Sequence, residues 1–189
     1  RFAGFPPDVA SLAALTMYSH ACAEIGDAEI GAHLYERLEP FAGELVYAGI
    51  SVWGDVEHPM ARLASLTGRH STALELIERS LARFEAIPAP TWLARARLDA
   101  ARIHLGRGRA EDRARALEYL DLAVEGAERY GAATVLRRAT VLRENVRAGE
   151  LIAPISSGRG GGRKRLGMQQ RPILSMEGDA WRIVSEGRQ

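Results

Sequence analysis

Three times in the first 130 residues, a glycine-containing turn leads to a small residue that opens an amphipathic stretch. The turns are IGDAEIG (25–31), TGRHSTA (67–73) and LGRGRAEDRARA (105–116), and the small residues are Gly31, Ala73 and Ala116. They stand 42 and 43 residues apart. A regular period of this size marks stacked helical hairpins, because one hairpin cannot bury its own apolar face and needs a neighbour to cover it. After each anchor the apolar residues fall at helical spacing: Gly31, Leu34, Leu38 and Phe41, then Ala73, Ile77, Leu81 and Phe84, then Ala116, Leu120, Ala123 and Ala127. The stretches before the turns repeat the pattern in Leu12, Leu15, Ser19 and Cys22 and in Leu93, Ala96, Ala100 and Ile103. A small residue at each anchor lets two helices approach closely just after their turn. Ser71 and Thr72 offer a capping hydroxyl to the helix that follows TGRH. Pro40, Pro88 and Pro90 mark places where helices stop.

A last amphipathic stretch, ATVLRRATVLRENVRA (133–148), puts Val135, Ala139, Leu142 and Val146 on one side and is otherwise arginine-rich, as a solvated capping helix would be. The expected fold is therefore all-α, a helical-hairpin solenoid of about seven helices over residues 1–150. Composition agrees. Hydrophobic residues make up 47% of the 189 but aromatic ones only 6%, so the core must be built from small aliphatic side chains, which suits closely spaced helices.

One connection is unlike an ordinary polar loop. GELVYAGISVWGDV (43–56) is apolar, with three glycines, and lengthens the repeat. Its bulky members Tyr47, Ile50 and Trp53 are expected to be buried. Either they plug the inner groove of the solenoid, or they meet a partner or ligand there. Beyond residue 150 the character changes. Residues 151–172 are rich in glycine and arginine and read as a flexible linker. In 173–189 the runs ILSM and AWRIV flank the turn EGD, which suggests a β-hairpin or the start of a further, truncated domain.

The net charge of +1 calls for no nucleic acid or anionic membrane. Residues 157–189 carry 7 basic and 3 acidic side chains, so the positive excess belongs to the tail. Cys22 is the single cysteine, which fits a reducing compartment, and no apolar run is long enough to span a bilayer. A cytoplasmic location is the default expectation. The chain begins on Arg1 and ends on VSEGRQ, and is read as a piece of a longer protein.

The sequence carries no recognisable catalytic motif. SGRGGGRKRL has one lysine with no Ser or Thr after it and no strand before it, so it fails as a phosphate loop. Its clustered cations, Arg159, Arg163, Lys164 and Arg165, are a possible nucleic-acid contact, although no aromatic residues interleave to stack on bases. A soluble linker is the simpler reading. The five histidines lack metal-ligand spacing, and Cys22 lies on an apolar stripe, as a small core residue would. No cofactor or metal is expected.

Three segments carry a resemblance: GDAEIGAHLYERLEPFAG (26–43), WGDVEHPMARLASLTGRHSTALELIERSLA (53–82) and WLARARLDAARIHLGRGRAEDRARALEYLDLAVEGAERYG (92–131). Together with MEGDAWRIVSEGR (176–188), they resemble the tetratricopeptide-like C-terminal region of large bacterial regulators, which join a signal-transduction ATPase to LuxR-type DNA-binding or nucleotide-cyclase domains. The resemblance implies a non-enzymatic sensing or scaffolding arm, and it transfers no active-site residue. The expected function is protein–protein interaction or regulatory scaffolding, with another domain of the same polypeptide as one form of partner. The alternative is a small-molecule effector held under residues 43–56. Tyr18, Tyr47, Trp53, Trp92, Arg95 and Arg102 are the candidate groove residues, because aromatic side chains and arginine dominate interaction hot spots.

Overall fold

The structure, a computed structural model, describes residues 9–149, 173–177 and 180–184. The chain divides into two compact units, Arg1–Ser157 and Gly158–Gln189. In the first, seven α-helices are described: α1 (Val9–Ile25), α2 (Ala28–Leu38), α3 (Glu57–Leu66), α4 (His70–Ala86), α5 (Pro90–Arg107), α6 (Asp112–Arg129) and α7 (Ala133–Ala148). A 3-10 turn (Glu39–Phe41) and an antiparallel pair, β1 (Leu45–Ala48) and β2 (Ser51–Asp55), separate α2 from α3. In the second unit β3 (Ile173–Glu177) pairs antiparallel with β4 (Ala180–Val184), running from Ile173 opposite Val184 to Glu177 opposite Ala180. These two strands fall on the runs ILSM and AWRIV, where a β-hairpin or the start of a further domain is expected. The 151–172 linker and the cations at 159, 163, 164 and 165 lie outside the described residues.

Helix periodicity decides the core. The anchors Gly31, Ala73 and Ala116 are all buried, as are Leu34 and Leu38, Ile77, Leu81 and Phe84, and Leu120, Ala123 and Ala127. A Cβ placed on Gly31 would stand 3.0 Å from Leu66 Cδ2, which is the close approach that this position serves. Phe41 departs from the pattern. It falls in the 3-10 turn, after α2 has ended, and is exposed.

Each helix packs on the next, and the odd-numbered helices also pack on one another: α1 on α3, α3 on α5, and α5 on α7. Helices α3 and α5 sit in the middle of this row. Residues 57–64 of α3 and 98–101 of α5 are buried without a break, so these helices have no solvent face in those stretches. Alanines Ala94, Ala96, Ala100 and Ala101 let α5 take neighbours on several sides.

Helix ends follow local chemistry, with some departures from expectation. At Gly68, φ is +78°, the left-handed turn that ends α3, with Arg69 N–H donating to Ala64 O at 2.8 Å. The next helix starts at His70 with no side-chain cap, so Ser71 and Thr72 lie in its first turn and do not cap it. Asp27 caps α2 by accepting from Ile30 N–H at 3.0 Å. Cys22 is a core residue whose Sγ donates to Asp27 O at 3.2 Å, and burial raises its thiol pKa. Pro90 opens α5 and does not stop a helix, because a first-turn residue has no helical acceptor for an N–H.

The largest departure is at 43–56. These residues form a β-hairpin, and its bulky side chains face solvent: Ile50 is fully exposed, and Tyr47 and Trp53 are 48% and 39% exposed. In β1 alternation turns Val46 inward and Tyr47 outward, whereas in β2 Ser51, Val52 and Trp53 are all exposed and burial begins only at Gly54. The hairpin meets the helices at Gly54, where φ is +102° and an added Cβ would lie 3.2 Å from the Trp92 ring. Gly54→Ala is therefore expected to cost about 2–4 kcal/mol through backbone strain and crowding. Gly49→Ala, at φ +62° in open space, is expected to cost only about 1–2 kcal/mol. Urea unfolding of the two variants checks the order.

Candidate functional site

The middle of the helix row is polar. Helix α1 contributes His20 and Glu24, α3 His58 and Arg62, α5 Arg95, Asp99 and Arg102, and α7 Arg138. Within each helix these residues stand three or four apart, so each set shares one face. Asp99 is the hub, with a side chain only 4% exposed. It takes His58 Nε2 at 2.9 Å, Arg62 Nε at 3.5 Å and Arg102 Nη1 at 3.0 Å. Burial alone would raise its pKa. Arg62, the His58 hydrogen bond and Arg102 outweigh that and hold the carboxyl well below the usual range.

Glu24 is a second acceptor. Its Oε1 receives Arg62 Nη2 at 2.7 Å, Arg102 Nη1 at 3.4 Å and Arg138 Nη1 at 3.3 Å. His20 Nδ1 lies 3.0 Å from Arg62 Nη1. A guanidinium can only donate, so this nitrogen accepts and the ring carries its hydrogen on Nε2. Burial, His58, Arg95 and Arg62 push the His20 pKa well below its ordinary value, which agrees with a neutral ring.

Arg95 differs from the other arginines of the seam. It lies over the Trp92 ring at 5.4 Å and makes no hydrogen bond or ion pair among the described residues. Burial lowers its pKa. Asp99 and Glu24 favour its charge, and Arg62 and Arg138 oppose it. Leaving the histidines aside, the seam holds four arginines against two carboxylates. It also bends the row. Helices pack about 8–10 Å apart, so in a straight row α1 and α7 would be separated by three such spacings. One arginine, one glutamate and one hydrogen bond cannot cross that distance, yet Glu24 meets Arg138. The row is curved, with these side chains on its concave side.

Two other polar clusters serve the fold. Asp55 Oδ1 accepts from His58 N–H and from Ser80 Oγ, both at 3.0 Å, and so caps α3 and ties it to α4. Arg83 approaches Asp55 and Glu57 and donates to Gly43 O, clipping the hairpin to the helices. Asp112 accepts from His104, Arg107 and the Arg109 N–H, closing the α5–α6 turn, and these donors, Arg107 first, hold its pKa far below normal. Tyr119 donates to Glu78 at 2.5 Å, and burial with that bond pushes its hydroxyl up to about 12.

Of the six candidate groove residues, Arg95 and Arg102 lie in the seam. Trp92 adjoins it from the first turn of α5, half-buried against Phe84 at 6.1 Å between ring centroids. Tyr47 and Trp53 are on the hairpin, and Tyr18 is on α1, 49% exposed. Sequence reasoning missed Glu24, His58, Arg62, Asp99 and Arg138. A signal was present, since His20 and His58 stand 38 apart and His58 and Asp99 41 apart, close to the repeat period. An open groove of about 630 Å³ lies elsewhere, between the α4–α5 turn and α6, and includes Phe84, Pro88, Leu93, Leu122 and Tyr130. Among the described residues no group of three or more His, Cys, Asp or Glu could hold a metal ion, and no helix is long and apolar enough to cross a membrane.

The pKa shifts set two windows of acid sensitivity. A base whose pKa falls on folding binds fewer protons folded than unfolded, so His20 withdraws stability as pH drops below about 6.5. A carboxyl whose pKa falls on folding stabilises fully above about pH 4, and that contribution is lost as pH falls further. Wild type is therefore expected to lose stability relative to His20→Gln between about pH 6.5 and 5. Asp99→Asn should cost about 3–5 kcal/mol at pH 7, because it leaves buried cations unpaired, and the deficit should shrink below about pH 4. Urea unfolding across pH 3–7 measures both.

Comparison with known proteins finds no counterpart: no family model matches the chain, and no curated protein and no solved structure is significantly similar to it.

Proposed function

We propose that the helical unit is a tetratricopeptide-like, non-enzymatic repeat module that binds an acidic segment of a protein. That segment would come from a partner or from another domain of the same polypeptide, within a larger bacterial signalling ATPase or transcription regulator. Support for the repeat comes from the burial of Gly31, Ala73 and Ala116 and from the stacking of the odd-numbered helices. The observation that carries the binding reading is Arg95: a half-buried guanidinium on the concave side, with no carboxylate of its own. A guanidinium in that state gains about 1.5–3 kcal/mol from a charge-assisted hydrogen bond with an incoming carboxylate. Arg102 and Arg138, 35% and 46% exposed, lie within reach of the same ligand. Trp92 beside Arg95 adds the aromatic surface typical of an interaction hot spot.

The test is titration of the 189-residue chain with an oligoglutamate peptide, followed by calorimetry. Binding should weaken at high salt, since exposed charge pairs are screened. Arg95→Met keeps an apolar stem over Trp92 and should lower affinity about tenfold, or about 1.4 kcal/mol, with little change in melting temperature. Affinity that ignores both salt and Arg95 would overturn this reading. A thermal-shift response to an uncharged metabolite, with none to the peptide, would favour an effector under residues 43–56 instead.

A further inference from the structure

The seam already contains a bound carboxylate, that of Glu24. One oxygen of this side chain collects guanidinium groups from three different helices, α3, α5 and α7. The three contacts are unequal. The one from Arg62 is 2.7 Å long and its donor is 7% exposed. Those from Arg102 and Arg138 are 3.4 and 3.3 Å long, with donors 35% and 46% exposed. Long, hydrated pairs of this kind contribute little and exchange readily. A short, buried one does not.

We propose that Glu24 is an internal competitor that sets the ligand threshold of the seam: it occupies the anion position, and an incoming acidic segment binds by taking Arg102 and Arg138 from it. The proposal rests on the acidic-segment reading given above. Glu24 is tethered, so its effective concentration at the arginines exceeds that of any free monocarboxylate. A single acetate-like ligand would have to displace it at every contact. A segment with several carboxylates can engage Arg95, which Glu24 leaves unpaired, and then replace Glu24 at Arg138 and Arg102, while Arg102 keeps its 3.0 Å contact with Asp99 and Glu24 keeps Arg62. The geometry thus selects multivalent acidic segments over isolated carboxylates. With Glu24 neutral, the four arginines would face Asp99 alone, and that selectivity should fall.

The experiment compares wild type, Glu24→Gln and Glu24→Asp in the full 189-residue chain, using hexaglutamate and free acetate as probes. Glu24→Gln should bind hexaglutamate about five- to tenfold more tightly, roughly what one partly screened charge supplies. It should also acquire measurable acetate binding, which wild type should not show. Glu24→Asp keeps the charge but is too short to hold all three arginines, and should fall between the two. Adding Arg138→Gln to Glu24→Gln should cancel most of the gain. If wild type binds hexaglutamate and neither Glu24 variant binds it more tightly, the competitor role is overturned and the binding site stands. If none of the three proteins binds hexaglutamate, both readings fall. Melting curves of the variants confirm that the fold is kept.

Discussion

The Asp99 carboxylate is the interaction on which the helix row depends. Helices α3 and α5 are buried over long stretches, and a buried helix ordinarily presents apolar side chains in every direction. Here α3 carries His58 and Arg62 into the interior, and these groups would be costly there without an anion. Asp99 supplies it from α5, accepting from His58 and Arg102 and forming an ion pair with Arg62. The same carboxylate would be costly alone. The arrangement is stable only as a set, so it fixes how α3 and α5 face each other more strictly than the surrounding alanines and leucines could.

A similar device joins the hairpin to the helices. Asp55 closes β2, caps α3 through the His58 N–H and accepts from Ser80 on α4. His58 therefore takes part in two linkages, one through its backbone and one through its ring. A disturbance at the hairpin has a direct covalent path to the hub. Arg83 adds a clip from α4 to Gly43, so the hairpin is held at its base while Ile50 at its tip is free of the body.

The helices and most of the core were legible in the sequence because apolar spacing is a local property. Leu34, Leu38, Ile77, Phe84, Leu120 and Ala123 announce their burial through neighbours three and four residues away. The seam was not legible in the same way. Glu24 and Arg138 are 114 residues apart, and each looks like a surface charge on an amphipathic helix. Arg95 and Arg102 entered the candidate set by residue type alone, with no sign that a buried aspartate stood between them. Residues 43–56 were read as a connection whose bulk must be covered. Their alternation instead turned Val46 inward and Tyr47 outward, and two-residue periodicity is hard to hear in so short a run. The missing hydroxyl cap on α4 has a local cause: the Gly68 turn delivers the chain one residue early, so the helix begins at His70 before Ser71 can cap it.

The contact between Glu24 and Arg138 joins the first helix of the row to the last, which makes curvature a chemical variable. The buried packing and the Asp99 hub hold the stack, and the hydrated Glu24–Arg138 pair adds a weak latch across its open side. An anion that draws Arg138 away from Glu24 removes one constraint on the five helices between α1 and α7, and by linkage a force that straightens the row would raise the affinity for that anion. In a longer polypeptide, tension applied at either end of this unit would then be felt as a change in ligand occupancy at its centre.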